Sequence, residues 1–285
     1  MIAITSATTP PAASIASRAW PALLSGPSPA VMGVLNITPD SFSDGGQFIT
    51  PERALAQAKR MIAEGADIID IGAESTRPYG AEPISADEEL KRLQPILAEI
   101  VSLGIPVSID SMKSTIVAWA LEGGATIAND VWGLQRDGDM AGLLAGRGCP
   151  VIIVHNRERA DADMDIVKDI SEFFVRSLDI AARAGICREN IVLDPGIGFG
   201  KTPEQSMTVL ARLDQFATFG LPLLVGASRK RFISTVEPCE PHQRLGGSIA
   251  AHLIAAKAGA RIIRTHDVYE TVQALRVAAA IWDKQ

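Results

Sequence analysis

The sequence predicts a TIM barrel, a single-domain (β/α)8 fold, and three observations carry that prediction. Eight short runs rich in Val and Ile recur from Ala30 onward, each ends in a polar or glycine-rich segment, and helix-like stretches lie between them. Eight strand–helix units close such a barrel, whereas an open doubly wound sheet, the alternative, usually stops at about five or six strands. Composition agrees: 47 % of the 285 residues are hydrophobic but only 5 % aromatic, so the apolar content is mostly aliphatic. That balance suits buried parallel strands covered by helices.

In chain order, residues 1–29 are rich in Ala, Ser, Thr and Pro with Arg18 as the only charge, which predicts a mobile tail. Within it, Trp20 to Leu24 is the place where apolar residues can dock. The barrel is expected over residues 30–285. Its strands are read as Ala30–Ile37, Ala66–Ala73, Pro106–Asp110, Thr126–Val131, Pro150–His155, Ile191–Gly196, Pro222–Ala227 and Arg261–His266. Pro51–Glu64, Ala86–Ser102, Ile166–Ala184 and Gln243–Ala258 read as helices, the first with Thr50 as cap and Pro51 in its first turn. Gly65, Gly104, Gly123, Gly148, Gly185 and Gly259 fall where a left-handed C-cap is needed.

Charge and cysteine usage exclude several classes. Twenty-seven basic against 33 acidic residues give a net charge of −6, with no basic tract, which argues against nucleic acid or an anionic membrane as partner. No run approaches the roughly 18 apolar residues of a membrane span. Cys149, Cys187 and Cys239 are odd in number, far apart and in no metal-ligand spacing, which fits a reducing compartment. Residues Met1 to Arg18 lack the basic and apolar regions of a signal peptide, so a cytoplasmic protein is expected.

In a TIM barrel the chemistry gathers at the C-terminal ends of the strands. Those ends read Asn36, Glu74–Arg77, Asp110, Asn129–Asp130, His155, Asp194, Ser228–Lys230, and Arg264 with His266. Asn36 offers an amide oxygen for a hard cation, although the loop holding Asp40 and Asp44 also reads as an Asx turn. Arg77, held extended by Pro78, presents a guanidinium that can fork two phosphate oxygens or form a surface ion pair. Asp110, Asn129 and Asp194 each end a Val/Ile-rich strand, where an unpaired carboxylate is costly. Two carboxylates and an amide facing one mouth match a flat heterocycle with adjacent donors and acceptors.

The segment Asp194-Pro-Gly-Ile-Gly-Phe-Gly-Lys201 invites a phosphate-loop reading, but Pro195 stands where that motif needs glycine. Its alternating glycines instead let backbone approach a ligand, with Phe199 as an apolar wall. Ser228-Arg-Lys230 and Arg264-Thr-His266-Asp267 follow the seventh and eighth strands, where barrels often bind phosphate. Arg264 and His266, two apart, point to one side and suit a diphosphate. For His155 a backbone-bonded structural role and a ligand contact are both open, while His242 and His252 read as structural.

From Ala30 to the C-terminus the chain resembles the dihydropteroate synthase family. The match lies in Leu35-Asn-Ile-Thr-Pro-Asp-Ser-Phe-Ser-Asp-Gly-Gly46, Ile71-Gly-Ala-Glu-Ser-Thr-Arg-Pro78, Ser108-Ile-Asp-Ser111, Asn129-Asp130, Asp194–Lys201, Gly226-Ala-Ser-Arg-Lys230 and Arg264-Thr-His-Asp267, in that order. The resemblance implies a homodimeric TIM barrel that condenses 6-hydroxymethyl-7,8-dihydropterin diphosphate with p-aminobenzoate, giving 7,8-dihydropteroate and pyrophosphate. It implies that Asp110, Asn129, Asp194, Gly226 and Lys230 hold the pterin. Asn36 would ligate Mg²⁺ on the diphosphate, whose oxygens Arg77, Arg264 and His266 would bind. Thr76, Pro78, Phe199, Gly200 and Ser228 would border the p-aminobenzoate site, where sulfonamides also bind. Asp110, Lys230, Arg264, His266 and the loop residue Asp40 are the catalytic candidates. Val154-His155-Asn156 departs from the common Met-His-Met, and Thr265 replaces a usual valine. A pterin-binding methyltransferase and a non-catalytic pterin-binding paralogue are the alternatives. The first needs no diphosphate cradle, and the second would be signalled by loss of Asn36, Lys230 or Arg264, all present here.

Overall fold

The computed structural model describes residues 20–37, 50–74 and 83–284. Eight parallel strands close into a barrel in sequence order. They are β1 (Ala30–Asn36), β2 (Ile68–Gly72), β3 (Val107–Asp110), β4 (Ile127–Asp130), β5 (Val151–Val154), β6 (Ile191–Asp194), β7 (Leu223–Val225) and β8 (Ala260–Thr265). Each expected run contains its strand, β8 beginning one residue earlier. Of the polar exits, Asn36, Asp110, Asn129, Asp130, Asp194 and Arg264 are still paired in the ladder, whereas Glu74, His155, Ser228 and His266 lie just beyond it. Around the barrel lie α1 (Pro51–Ala63), α2 (Ala86–Leu93), α3 (Leu97–Val101), α4 (Ser114–Glu122), α5 (Met140–Arg147), α6 (Ile166–Ala184), α7 (Pro203–Ala211), α8 (Arg231–Val236), α9 (Leu245–Lys257) and α10 (Val268–Trp282).

Local chemistry sets these limits. The Thr50 hydroxyl accepts from Arg53 N at the start of α1, with Pro51 in its first turn. The helix expected over Ala86–Ser102 is divided, because Pro95 lies between α2 and α3 and cannot supply an N–H. Gly148 and Gly185 cap α5 and α6 at φ 60° and 86°. After α4 the left-handed residue is Gly124 at φ 101°, and Gly123 keeps a right-handed φ of −75°, which corrects the expected cap by one residue.

Alternation along the strands separates two cores. Val31, Leu35, Ile69, Ile71, Ile109 and Leu193 pack outward under the helices. Met32, Ile68, Ile127, Ile152, Val192, Leu224 and Ile262 face inward and form a second cluster, into which Trp20 is packed. Residues 1–19, most of the expected tail, lie outside the described residues. Residues 20–24 are helical, and Trp20 is only 1 % exposed. Arg261 fastens this segment by donating to the carbonyls of Leu24 and Gly26, both at 2.6 Å. Among the described residues no helix is long and apolar enough to cross a membrane.

Candidate active site

The strands that bury Ile68, Ile127, Val192 and Ile262 inside the barrel present Asp70, Asn129, Asp194 and Arg264 two residues later, on the same inward face. Strand register places Asn36, Gly72, Asp110 and Asn129 in one row across β1 to β4. Opposite them the Arg264 guanidinium lies between two aspartates, with Nη1 3.5 Å from Asp70 Oδ2 and Nη2 3.6 Å from Asp194 Oδ2. Gly226 makes room for it: a Cβ there would stand 3.1 Å from Arg264 Nε. Asn129 Nδ2 donates to Asp70 Oδ2 at 3.1 Å, and Asp194 Oδ1 accepts from Gly196 N at 2.7 Å.

These groups are buried, and their ionisation follows from that. Burial raises the carboxyls of Asp70 and Asp194, with Arg264 as the chief opposing charge on each. Asp110 is pushed up to about 8 by burial and by the carboxylate of Asp70, against the pull of Arg264. It is therefore mostly protonated at neutral pH in the free protein. Burial works against the charge of Arg264, but Asp194, Asp70 and Asp110 outweigh it and raise its pKa. Asp70 Oδ1, Asp110 Oδ1, Asn129 Oδ1 and Asp194 Oδ2 are buried without a hydrogen-bond partner among the described residues. Four unpartnered acceptors in one layer are costly for a protein and suited to a ligand rich in N–H donors.

The rim above this layer carries cations. Lys230 Nζ stands 4.2 Å from the Phe199 ring centroid, over its π face. Arg229, at φ 56°, donates through Nε and Nη2 to Asp267 at 3.0 and 2.5 Å, which fixes the turn holding Ser228 and Lys230. Ser228 Oγ accepts from His266 N at 3.2 Å and lies 3.0 Å from His266 Nδ1. With that backbone bond accepted, the hydroxyl proton is directed to Nδ1, leaving the imidazole proton on Nε2. Burial and the neighbouring cation Arg229 pull His266 down to about 3, so the ring is neutral.

Asp110, Asn129, Asp194, Gly226, Lys230, Ser228, His266, Phe199, Gly200 and Asn36 thus gather at the C-terminal mouth, the end expected for them. Arg264 differs in detail: its guanidinium is held inside among the acids, whereas His266 lies past the end of β8 against Ser228. Asp40, Thr76, Arg77 and Pro78 lie outside the described residues. Asp130, beside Asn129, turns to the other face and accepts from Trp132 N and Leu134 N, which makes it a turn former. His155 is bonded through its ring to Asp169 and Lys201, rather than to backbone. His252 is buried, 3.4 Å from Thr271 Oγ1, in keeping with a structural role. Asp70 is the residue that sequence reasoning missed. Its signal was available, as a carboxylate within Ile68-Ile-Asp70-Ile71 can be tolerated inside a barrel only with partners.

Residues 32–266 match the family model described as pterin binding enzyme. The dihydropteroate synthase of Bacillus subtilis is 42 % identical over 255 residues, covering 89 % of both chains. A Clostridium difficile dihydropteroate synthase structure, solved in the presence of pteroic acid, superposes with a TM-score of 0.85 at 45 % identity, covering 90 % of this chain and 97 % of that one. The Xanthomonas albilineans dihydropteroate synthase with 4-aminobenzoic acid matches with a TM-score of 0.85 at 41 % identity, covering 91 % and 94 %.

Proposed function

The chain belongs to the dihydropteroate synthase family of pterin-binding enzymes, transferases of folate biosynthesis, and from that premise we propose how its own residues perform the reaction. The substrates are 6-hydroxymethyl-7,8-dihydropterin diphosphate and p-aminobenzoate, and the products are 7,8-dihydropteroate and pyrophosphate. The reading rests above all on the four buried acceptors of Asp70, Asp110, Asn129 and Asp194 that have no partner among the described residues. A dihydropterin edge, with its amino group and ring N–H donors, supplies the hydrogen bonds they lack.

In this scheme Asp110, Asn129, Asp194 and Lys230 hold the pterin, with Gly226 giving Arg264 its place beside the ring. The C–O bond to the diphosphate breaks with both electrons leaving on oxygen, so positive charge grows on the methylene and the ring. Asp70 and Asp194 lie where they balance that charge, in a site with little solvent. The p-aminobenzoate nitrogen then forms the new C–N bond and loses one proton to water. The departing diphosphate is assigned to His266, whose Nε2–H is a donor for it, and to Arg264; the resemblance alone adds Arg77. An anion placed beside this imidazole raises its pKa, opposing the burial that holds it at about 3. Phe199, Gly200 and Ser228 are assigned to the p-aminobenzoate, and the resemblance alone adds Thr76 and Pro78 there and Asp40 as a further catalytic candidate.

Mg²⁺ is proposed on the diphosphate, with the Asn36 amide oxygen as its protein ligand. Asn36 shares a row with Asp110 at the mouth, where its amide is a single neutral oxygen donor. That donor set suits a cation held chiefly by substrate phosphates. When bound there it neutralises charge that develops on the leaving group.

A homodimer is proposed as well, supported by exposed Ile254, Tyr269, Val277 and Ile281 on the neighbouring helices α9 and α10. Light scattering should give twice the chain mass. A cytoplasmic location is proposed from three free, scattered cysteines. The test of function is pyrophosphate release from the dihydropterin diphosphate, with and without p-aminobenzoate and Mg²⁺. Sustained turnover should require all three, and a steady-state release rate unchanged by p-aminobenzoate, with no dihydropteroate formed, would contradict the transferase reading.

A further inference from the structure

Below the aromatic wall runs a chain of buried polar contacts that the reaction scheme does not use. Asp169, in the first turn of α6, binds Arg157 through Oδ1 and His155 Nε2 through Oδ2, both at 3.0 Å. The carboxylate accepts a hydrogen bond from Nε2–H, so His155 Nδ1 is an acceptor, and Lys201 Nζ donates to it at 2.7 Å. Lys201 Nζ also donates to the Phe199 carbonyl at 3.1 Å. Both His155 and Lys201 are buried.

The turn they grip has little freedom of its own shape. Gly196, Gly198 and Gly200 all have positive φ. A Cβ on Gly196 would meet the carbonyl oxygen of His155, and one on Gly200 would meet Arg157, so the loop is pressed against the exit of β5. Its upper side carries Lys230, whose Cδ would lie 3.2 Å from a Cβ on Gly198 and whose Nζ covers the Phe199 ring. The loop is therefore the seat of Lys230.

We propose that Lys201 is a positioning residue, which through His155 and the Phe199 carbonyl fixes the loop that aims Lys230 at the pterin. The proposal rests on the reading of Lys230 as a pterin contact. Burial, opposed by Asp194 and Asp169, draws the Lys201 ammonium down to about 7. Both its charged and neutral forms keep at least two N–H groups, enough for His155 Nδ1 and Phe199 O, so the loop stays pinned through neutral pH. A bare hydrophobic side chain would fill the volume and hold neither acceptor.

The test is a double-mutant cycle of Lys201→Met and Lys230→Met, with kcat/KM for the dihydropterin diphosphate measured alongside thermal melting. Lys201→Met should cost about ten- to a hundred-fold, the usual scale for a catalytic group displaced by an ångström. Added to Lys230→Met it should cost little more, because it acts through that residue. Losses that multiply in the double variant, or an unaffected Lys201→Met, overturn the proposal. If Lys201→Met does not fold, His155 provides the second route. His155→Asn keeps an acceptor near the Nδ1 position and should retain most activity, while His155→Leu should lose it; equal behaviour of the two contradicts the inference. The parent reading fails separately, through a wild-type protein that releases no pyrophosphate.

Discussion

The barrel interior contains two layers built on the same strands and the same face, yet they are opposite in chemistry. The lower layer, Ile68, Ile127, Ile152, Val192, Leu224 and Ile262, is apolar and holds Trp20. The upper layer, two residues further along β2, β4, β6 and β8, holds Asp70, Asn129, Asp194 and Arg264, with Asp110 of β3 in register beside Asn129. Strand geometry is the same in both, so the contrast lies entirely in side-chain choice. The lower layer removes apolar surface from water, while the upper layer keeps three carboxyls incompletely bonded around the Arg264 guanidinium. Stability is concentrated below and reactivity above, as expected for a barrel whose site is at one end.

Substitutions in the two layers should therefore separate folding from turnover. Trp20→Ala opens the lower layer and should cost about 3–5 kcal/mol of stability in urea unfolding, with kcat per folded molecule unchanged. A large loss of kcat with the stability intact would erase the distinction. Arg264→Ala, in the upper layer, should raise the barrier to pyrophosphate release by about 2–4 kcal/mol, read from kcat/KM. It also leaves Asp70 and Asp194 without their guanidinium, so both should take up protons more readily.

A smaller effect concerns pH. The Asp110 carboxyl binds its proton up to about 8 in the folded chain, against 3.8 as the ordinary value. Between those limits the folded state holds a proton that the unfolded state has released, so Asp110 makes stability fall as pH rises. Asp110→Asn should make the decline in unfolding midpoint from pH 5 to pH 8 shallower. Parallel curves for the two proteins would show that Asp110 ionises normally. The least effect is expected from Ile152→Val, about 0.5–1.5 kcal/mol of stability and no kinetic change.

The layer contrast also explains what could be read in advance. All eight strands were legible, because parallel strands buried on both faces are near-continuous Val/Ile runs bounded by turn residues. That continuity hid Asp70, which reads as one polar letter inside an apolar run, whereas Asp110, Asn129 and Asp194 stand out at strand ends. Pro95 was visible as a break in Ala86–Ser102, yet the apolar pattern continues across it, so two helices read as one. The contacts of His155 were beyond reach for a different reason. Its partners Asp169 and Lys201 are 14 and 46 residues away, and only the closed barrel brings them together.

Whether the upper layer grips the pterin ring is tested most directly by calorimetric titration with 6-hydroxymethyl-7,8-dihydropterin, which carries no diphosphate. Wild-type protein should bind it, and Asp194→Asn should bind about ten- to a hundred-fold more weakly, the worth of a hydrogen bond to a charged group. Equal affinity in the two proteins would mean that the ring is held elsewhere, and that the buried acids serve some other purpose.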